Sequence, residues 1–320
     1  MIWVIGCNGM LGQEVCKQLS ELNLNYIGSG HEVDILNFTL LETFLKKTET
    51  NNYLASHRND KKDPDSGKIK WIINCSAYTQ VDKAEDESDL CADINITGVL
   101  NIARLCKNHG IKLIHISTDF VFDGKKTIPY LETDKKNPLS VYGKTKSEGE
   151  DKIISSMSQY YILRTSWLYG FKGKNFVYTM IKLMNSRSNL NIVCDQKGTP
   201  TFANDLASAL IKIIEKSYKS DGLFGSNSIP SYGIYNFSNE GAISWFDFAK
   251  KIYDLGRKYG KITQECDVNA CTTADYPTKA VRPAYSVLDK TKIQKELKIR
   301  IPEWEKSLEN FIKSKDFEII

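Results

Sequence analysis

No apolar run in this 320-residue chain approaches the ~20 residues that a membrane span requires. The amino terminus, Met1-Ile2-Trp3-Val4-Ile5-Gly6, lacks the charged start and small-residue cleavage site of a secretory signal. A soluble, cytoplasmic protein without a membrane partner is expected. Charge of one sign is equally scarce: 43 Lys and Arg against 39 Asp and Glu leave a net charge of +4. No basic run is interleaved with aromatics, so a nucleic-acid surface is not expected, although small anionic ligands remain open. The eight cysteines form no Cys-x-x-Cys pair. Most lie in apolar or helical segments and read as reduced, space-filling thiols, while Cys266 and Cys271 stand close enough to leave a redox or metal role open. Low-complexity tracts and internal repeats are missing too. What is present, 41% hydrophobic residues, is ample for the core of one large or two moderate domains.

The first third alternates short apolar runs with helical patterns, the trace of a parallel sheet with crossover helices. Strands are expected at residues 2–5, 25–28, 71–74, 112–117 and 161–164, and helices at 11–22, 40–47, 90–108 and 142–155. Residues 48–70 are polar and charged where a compact domain has a short loop, and are expected to be a mobile surface insertion. Beyond Thr165 the pattern loosens into a smaller lobe with helices near 175–186, 204–217, 245–259, 289–296 and 303–314, ending in a short tail, 316–320, that is expected to fray. The expected architecture is α/β, a Rossmann-like doubly wound parallel sheet with a smaller α/β substrate-binding lobe. The dinucleotide-binding domain is assigned to 1–165 with about 202–240, and the lobe to 166–201 with about 241–320.

Because ligands of open α/β sheets bind outside the carboxyl ends of the strands, the motifs at those ends carry the chemistry. Gly6-x-x-Gly9-x-x-Gly12 follows the first strand and opens the first helix, where glycines permit a tight turn and close approach of a pyrophosphate to a helix N-terminus. After the second strand, Ser29-Gly30-His31-Glu32-Val33-Asp34 offers neither a clean ribose-binding acid nor an Arg for a 2′-phosphate, so NADH and NADPH both stay open. Asp34 and Ile35 either flank an adenine or, for Asp34, cap a helix. The small residues of Asn74-Cys75-Ser76-Ala77-Tyr78-Thr79 suit a cofactor lying close or simply a tight strand end. Tyr142 and Lys146 are four apart, on one helical face, where an ammonium lowers the pKa of a phenol near ~10. With 16 tyrosines and 43 basic residues the spacing arises about twice by chance, and Tyr178-Lys182 repeats it. Only Tyr142 follows a strand ending in Ser117-Thr118-Asp119, which sets a hydroxyl beside it at one rim to polarise a carbonyl. Tyr178-Lys182 is therefore expected to be an ordinary surface pair.

Together these residues resemble the extended short-chain dehydrogenase/reductase superfamily and, within it, the dTDP-4-dehydrorhamnose reductase family. The resemblance runs over nearly the whole length. It rests on Gly6 to Gly12, Ala77-Tyr-Thr-Gln-Val-Asp82-Lys-Ala-Glu85, Ser117-Thr-Asp-Phe-Val-Phe-Asp-Gly124, Tyr142 to Lys146, Arg164-Thr-Ser-Trp167-Leu-Tyr169, Asp195-Gln196-Lys-Gly198-Thr-Pro200-Thr201 and Arg282-Pro283-Ala-Tyr-Ser286. It implies NAD(P)H-dependent reduction of the C4 ketone of a dTDP-4-dehydro-6-deoxy sugar, with Tyr142, Lys146, Thr118 and Asp119 catalytic. Tyr142 would protonate the alkoxide, Lys146 would hold the nicotinamide ribose and depress the Tyr142 pKa, Thr118 would donate to the same oxygen, and Asp119 would position the sugar. Gly9, Met10, Leu11, Ala77, Tyr78, Thr79 and Ile116 map to cofactor-lining positions. Trp167 matches a residue packing on the sugar, and Arg282 one near the far end of the substrate, with a structural ion pair as its other reading. Sugar-nucleotide dehydratases carry Glu where Phe120 stands, so dehydration is not implied. Some relatives form magnesium-bridged dimers, and Glu14 falls where one ligand would be, yet Asn204 stands where an acid is expected. No required metal is predicted, and a homodimer is left open. A regulatory reading stays beside the enzymatic one, because the β subunit of methionine adenosyltransferase shares these motifs; its partner would be the catalytic subunit of that enzyme.

Overall fold

A computed structural model describes residues 1–56, 67–219 and 229–318, with backbone alone at 53–56 and 218–219. The chain opens with β1 (Ile2–Ile5), α1 (Met10–Glu21), β2 (Tyr26–Ser29), α2 (Phe38–Ser56) and β3 (Trp71–Asn74). There follow α3 (Ser88–Ala92), a π-helical turn over Asp93–Gly98, α4 (Val99–His109), β4 (Lys112–Thr118), α5 (Val141–Ser156) and β5 (Tyr160–Thr165). Beyond these come β6 (Leu168–Tyr169), α6 (Phe176–Met184), β7 (Asn189–Val193), β8 (Lys197–Gly198), β9 (Thr201–Phe202) and α7 (Ala203–Lys219). The last elements are β10 (Gly233–Asn236), β11 (Ile243–Ser244), α8 (Trp245–Lys258), β12 (Asp267–Cys271), α9 (Thr291–Leu297) and α10 (Trp304–Lys313). Among the described residues, no helix is long and apolar enough to cross a membrane.

Six strands form one sheet in the order β10-β5-β4-β3-β1-β2, each pairing parallel. The chain begins near one end of the sheet, adds β2 on one side of β1, then crosses over to add β3, β4 and β5 on the other. That reversal opens a crevice at the carboxyl ends of β1 and β3. All four residues of β1 and of β3 are buried, as in strands covered on both faces. On one face α1 and α7 bring Val15, Leu19, Leu206, Leu210 and Ile214 against the sheet; on the other α2, α4 and α5 bring Leu41, Leu45, Ile102, Leu105 and Ile153. Each such side chain contributes about 1.5–3 kcal/mol by leaving water. A separate, aromatic cluster gathers Tyr169, Phe202, Phe248 and Phe311 among α6, α8 and α10, with Tyr169 at 5.2 Å from Phe311 and 5.5 Å from Phe202.

The structure departs from the sequence expectation at several places. The first part of the supposed insertion is ordered helix: α2 runs on to Ser56, Thr48 is buried, and Glu49 accepts from the Ile69 amide at 2.9 Å. Residues 57–66 lie outside the described residues. The tail is tied down by a Lys17–Asp316 pair at 2.7 Å and by Phe317, which packs at 5.0 Å from Phe311; 319–320 lie outside the described residues. Tyr178 is not on the surface: its ring is buried beside Phe311 and its hydroxyl donates to the Phe171 carbonyl, while Lys182 is exposed. All eight cysteines are free thiols, with Cys91, Cys106 and Cys266 buried and the rest partly so.

Candidate active site

The turn between β1 and α1 explains its own glycines. Gly6 sits at φ +77°, and a Cβ there would lie 2.8 Å from the Ser76 amide nitrogen; a Cβ on Gly12 would overlap the Gly6 carbonyl oxygen. Gly9 begins α1 with no side-chain cap and no acid in the first turn, which leaves the helix N-terminus facing the crevice with its positive end unopposed. The side chain of Leu11 lies in the core, so only its main chain can meet a cofactor, and Met10 leans over Gly170. Asp34 closes a local turn by accepting from the Leu36 amide at 2.9 Å, and it is Asn37 that accepts from the Leu40 amide at the start of α2. Ile35 is nearly buried against Gly98. At the end of β2 the exposed Glu32 folds back to accept from the Gly30 amide at 2.6 Å, which holds its carboxyl below the usual range.

From β3 the chain passes through Ala77, half-buried, and Thr79, exposed. Tyr78 between them is buried and donates to Glu87 at 2.7 Å. Asn95, inside the π-helical turn, clamps Tyr78 from both sides, accepting from its amide at 3.0 Å and donating to its carbonyl at 3.1 Å. It also reaches Thr145 on α5 at 3.2 Å. A π turn inside a helix frequently marks a functional site, and an Asn amid the apolar run Ile94-Asn95-Ile96 was the sequence signal for it.

The start of α5 is fixed by two caps. Ser140 accepts from the Gly143 amide at 3.1 Å, and Glu85 accepts from the Val141 amide at 2.9 Å. Tyr142 is thereby held beside the end of β4, its ring edge-on to Phe120 at 5.6 Å. Thr118 accepts from the Phe120 amide at 3.2 Å and donates to Asp119 at 3.0 Å. Burial raises the Tyr142 phenol far above its usual value; the Thr118 hydroxyl, within hydrogen-bonding reach, opposes this, and the Asp119 carboxylate adds to it. Burial also pushes Asp119 up to about 6, with Ser286 and Thr118 offsetting part of the effect, and its Oδ2 is buried without a hydrogen-bond partner. Ser117 turns away from this group and donates to Glu150 at 2.6 Å.

Lys146 differs most from expectation. Its ammonium donates to the Ile116 carbonyl at 2.6 Å and lies 3.4 Å from His115 Nε2, and it is not among the groups that shift the Tyr142 phenol. It therefore does not lower the phenol in this arrangement; its own pKa is brought down to about 8 by burial, against the pull of Glu150 and Cys91.

Trp167 stands at φ +47° and lies flat on Trp245, which sequence reasoning passed over although Ser244 and Asp247 form a capping box around it. A cavity of about 640 Å³ is walled by Trp245, Arg282, Gln196, Phe176, Met180 and Ile192, among residues that follow β5, and Tyr142 does not line it. Arg282 makes a bidentate ion pair with Asp82 at 2.6 and 3.0 Å, which holds the Asp82 carboxyl below its usual range. The ion-pair reading of this Arg is the one observed, and the pair stands in the cavity wall. Glu14 is buried and accepts from amides of Asn204, at 2.6 Å, and Gln18, at 3.1 Å. Among the described residues no group of three His, Cys, Asp or Glu side chains could hold a metal ion.

A parallel sheet with a glycine turn at its point of reversal, followed by Thr118 on a strand end and Tyr142 and Lys146 on the next helix, defines an extended short-chain dehydrogenase/reductase. The family model of the RmlD substrate binding domain matches residues 1–317, and the chain belongs to that family. A dTDP-4-dehydrorhamnose reductase of Aggregatibacter actinomycetemcomitans is 40% identical over 307 residues, 96% of each chain. The crystal structure of a dTDP-4-dehydrorhamnose reductase from Clostridium acetobutylicum superposes with a TM-score of 0.82 at 36% identity, covering 97% of this chain and 98% of the other. The Bacillus anthracis enzyme of that name, solved with NADP, gives 0.82 at 32% identity, covering 97% of each.

Proposed function

We propose that this chain is an NAD(P)H-dependent oxidoreductase that reduces the C4 ketone of dTDP-4-dehydrorhamnose to give dTDP-L-rhamnose. The observation that carries the reading is the gathering of Thr118, Asp119, Tyr142 and Lys146 at the carboxyl end of β4, on the same rim of the parallel sheet as the Gly6–Gly12 turn that follows β1. The turn fits a dinucleotide, since Gly6 and Gly12 let the chain fold tightly against its own backbone, where a Cβ would clash, and the N-terminus of α1 carries no side-chain cap and no acid to compete with a pyrophosphate. When bound, the reduced nicotinamide supplies the hydride.

The protein side chains supply the rest. Burial keeps Tyr142 a neutral phenol at physiological pH, so it carries a proton to give to the alkoxide oxygen. Thr118 donates to the same oxygen, and Asp119, which accepts from Thr118, helps position the sugar. Gly6, Gly9, Met10, Leu11, Gly12, Ala77, Tyr78, Thr79 and Ile116 approach the cofactor, several through main chain alone, with Asp34 and Ile35 toward its adenine end. Trp167, on its Trp245 platform, packs on the sugar; the cavity with Arg282 in its wall, whose volume is in the range of small-molecule sites, receives the nucleotide. We assign residues 1–165 and about 202–240 to the cofactor domain and 166–201 and about 241–320 to the substrate lobe, acting in the cytoplasm as a monomer or homodimer. The regulatory-subunit alternative is not favoured, because relatives 40% identical over most of the chain are named as the reductase. Incubation with dTDP-4-dehydrorhamnose and NADPH or NADH tests the proposal: dTDP-L-rhamnose should accumulate, and no oxidation of either cofactor would refute it.

A further inference from the structure

Behind Lys146 a chain of buried polar groups runs back to the end of β3. Lys146 Nζ lies 3.4 Å from His115 Nε2, His115 Nδ1 lies 3.1 Å from Asn74 Nδ2, and Asn74 Oδ1 accepts from the Ser76 amide at 3.0 Å and the Ser76 hydroxyl at 2.6 Å. Asn74, His115 and Lys146 are all nearly inaccessible to solvent. The order of donors in this chain can be deduced from one end. A backbone N–H only donates, so the Asn74 atom facing Ser76 is its oxygen, and the atom facing His115 is its amide nitrogen. Asn74 then donates to Nδ1, which must be the unprotonated ring nitrogen. Burial keeps the ring neutral by pushing its pKa well below the usual value, so the single ring proton sits on Nε2 and points at Lys146. An ammonium has donors only, and two donors meet across this contact unless Lys146 is an amine, whose lone pair accepts the Nε2 proton.

We propose that Asn74 and His115 are positioning residues for Lys146: Asn74 locks the imidazole as an Nε2–H donor, whose complementary partner is the uncharged amine, so that Lys146 yields its charge more readily. This goes beyond the reductase reading and rests on it only for the role of Lys146 in holding the nicotinamide ribose, through which its charge enters the pH-rate profile. The other titratable and charged groups around Nζ act in the opposite sense or are already paired. Glu150 on α5 and Cys91 on α3 favour the ammonium, Glu150 is itself held by Arg164 of β5, and the Ile116 carbonyl of β4 accepts from Nζ. Among the described residues, the His115 contact is thus the polar neighbour that favours the amine.

The tautomer is directly observable on the full-length protein without cofactor, substrate or turnover. The chain has only 4 histidines, so ¹⁵N-histidine spectra are assignable with a His115→Gln variant. His115 should show a protonated Nε2 and a bare Nδ1 throughout the neutral range; a protonated Nδ1, or a charged ring near pH 6, overturns the proposal. Replacing Asn74→Ala removes the donor that fixes the ring. The Nδ1–H tautomer should then appear, and the pH-rate limb governed by Lys146 should move up by about one unit as Nε2 begins to accept from the ammonium. A loss of rate that is equal at every pH, with the tautomer unchanged, would reduce Asn74 to a structural role and refute the assignment. Missing turnover in the wild-type chain would count against the reductase reading and leave the spectroscopic result standing.

Discussion

The indole of Trp167 lies on that of Trp245 with centroids 3.5 Å apart and planes 11° from parallel. The strained positive φ of Trp167 is sustained by this stack on one side and by Gly198 on the other, where a Cβ would come within 2.6 Å of the indole. Gly198→Ala is therefore expected to tilt Trp167 and raise KM for the nucleotide sugar about tenfold, with the thermal midpoint nearly unchanged. Steady-state kinetics checks this, and an unaltered KM would show that Trp167 does not meet the sugar.

Glu150 is the charged centre of the interior. Arg164 binds it in bidentate fashion at 2.7 and 2.9 Å, and Ser117 donates to it. Burial alone would raise its carboxyl, but Arg164 and Lys136 outweigh this and hold it below the usual value. A depressed folded pKa contributes stability that is complete above the unfolded carboxyl value of about 4.3 and is lost as pH falls through the folded value. Arg164→Met should cost about 3–5 kcal/mol by leaving a buried carboxylate unpaired. Denaturant titrations should show the wild type losing stability below about pH 4 and the variant gaining relative to it there, because protonated Glu150 no longer needs the partner.

Cofactor choice should turn on Glu32. Its carboxylate is charged and sits at the end of β2, where a 2′-phosphate would meet like charge. Glu32→Gln is expected to raise kcat/KM for NADPH over that for NADH by about tenfold, the size of one screened charge pair. Parallel measurements with both cofactors decide this, and an unchanged ratio would remove Glu32 from the site.

The sheet and the rim motifs were legible because parallel strands leave continuous apolar runs, such as Trp71 to Asn74, and because glycines and caps mark their ends. The Tyr142 helix and the Thr118 strand end could be brought together from chain order alone. The direction of Lys146 could not, since four-residue spacing sets a face and not which acceptor on β4 the ammonium takes. His115 was hidden for the same reason: its partners, Asn74 and Lys146, are 41 and 31 residues away in the chain. The α2 extension was missed because Thr48 to Asn52 is a polar run, held in place by tertiary contacts such as Glu49 with Ile69. The pairing of β7 with β12 joins segments far apart in sequence, with alternating exposure too weak to read.

The central claim is that Tyr142 delivers the proton to the reduced ketone. The most direct measurement is NAD(P)H oxidation with dTDP-4-dehydrorhamnose by the wild type and by Tyr142→Phe, with binding of both ligands verified by calorimetry. Loss of the phenol should lower kcat by about a hundredfold or more while leaving cofactor affinity nearly unchanged. A Phe variant that turns over at the wild-type rate would contradict the account.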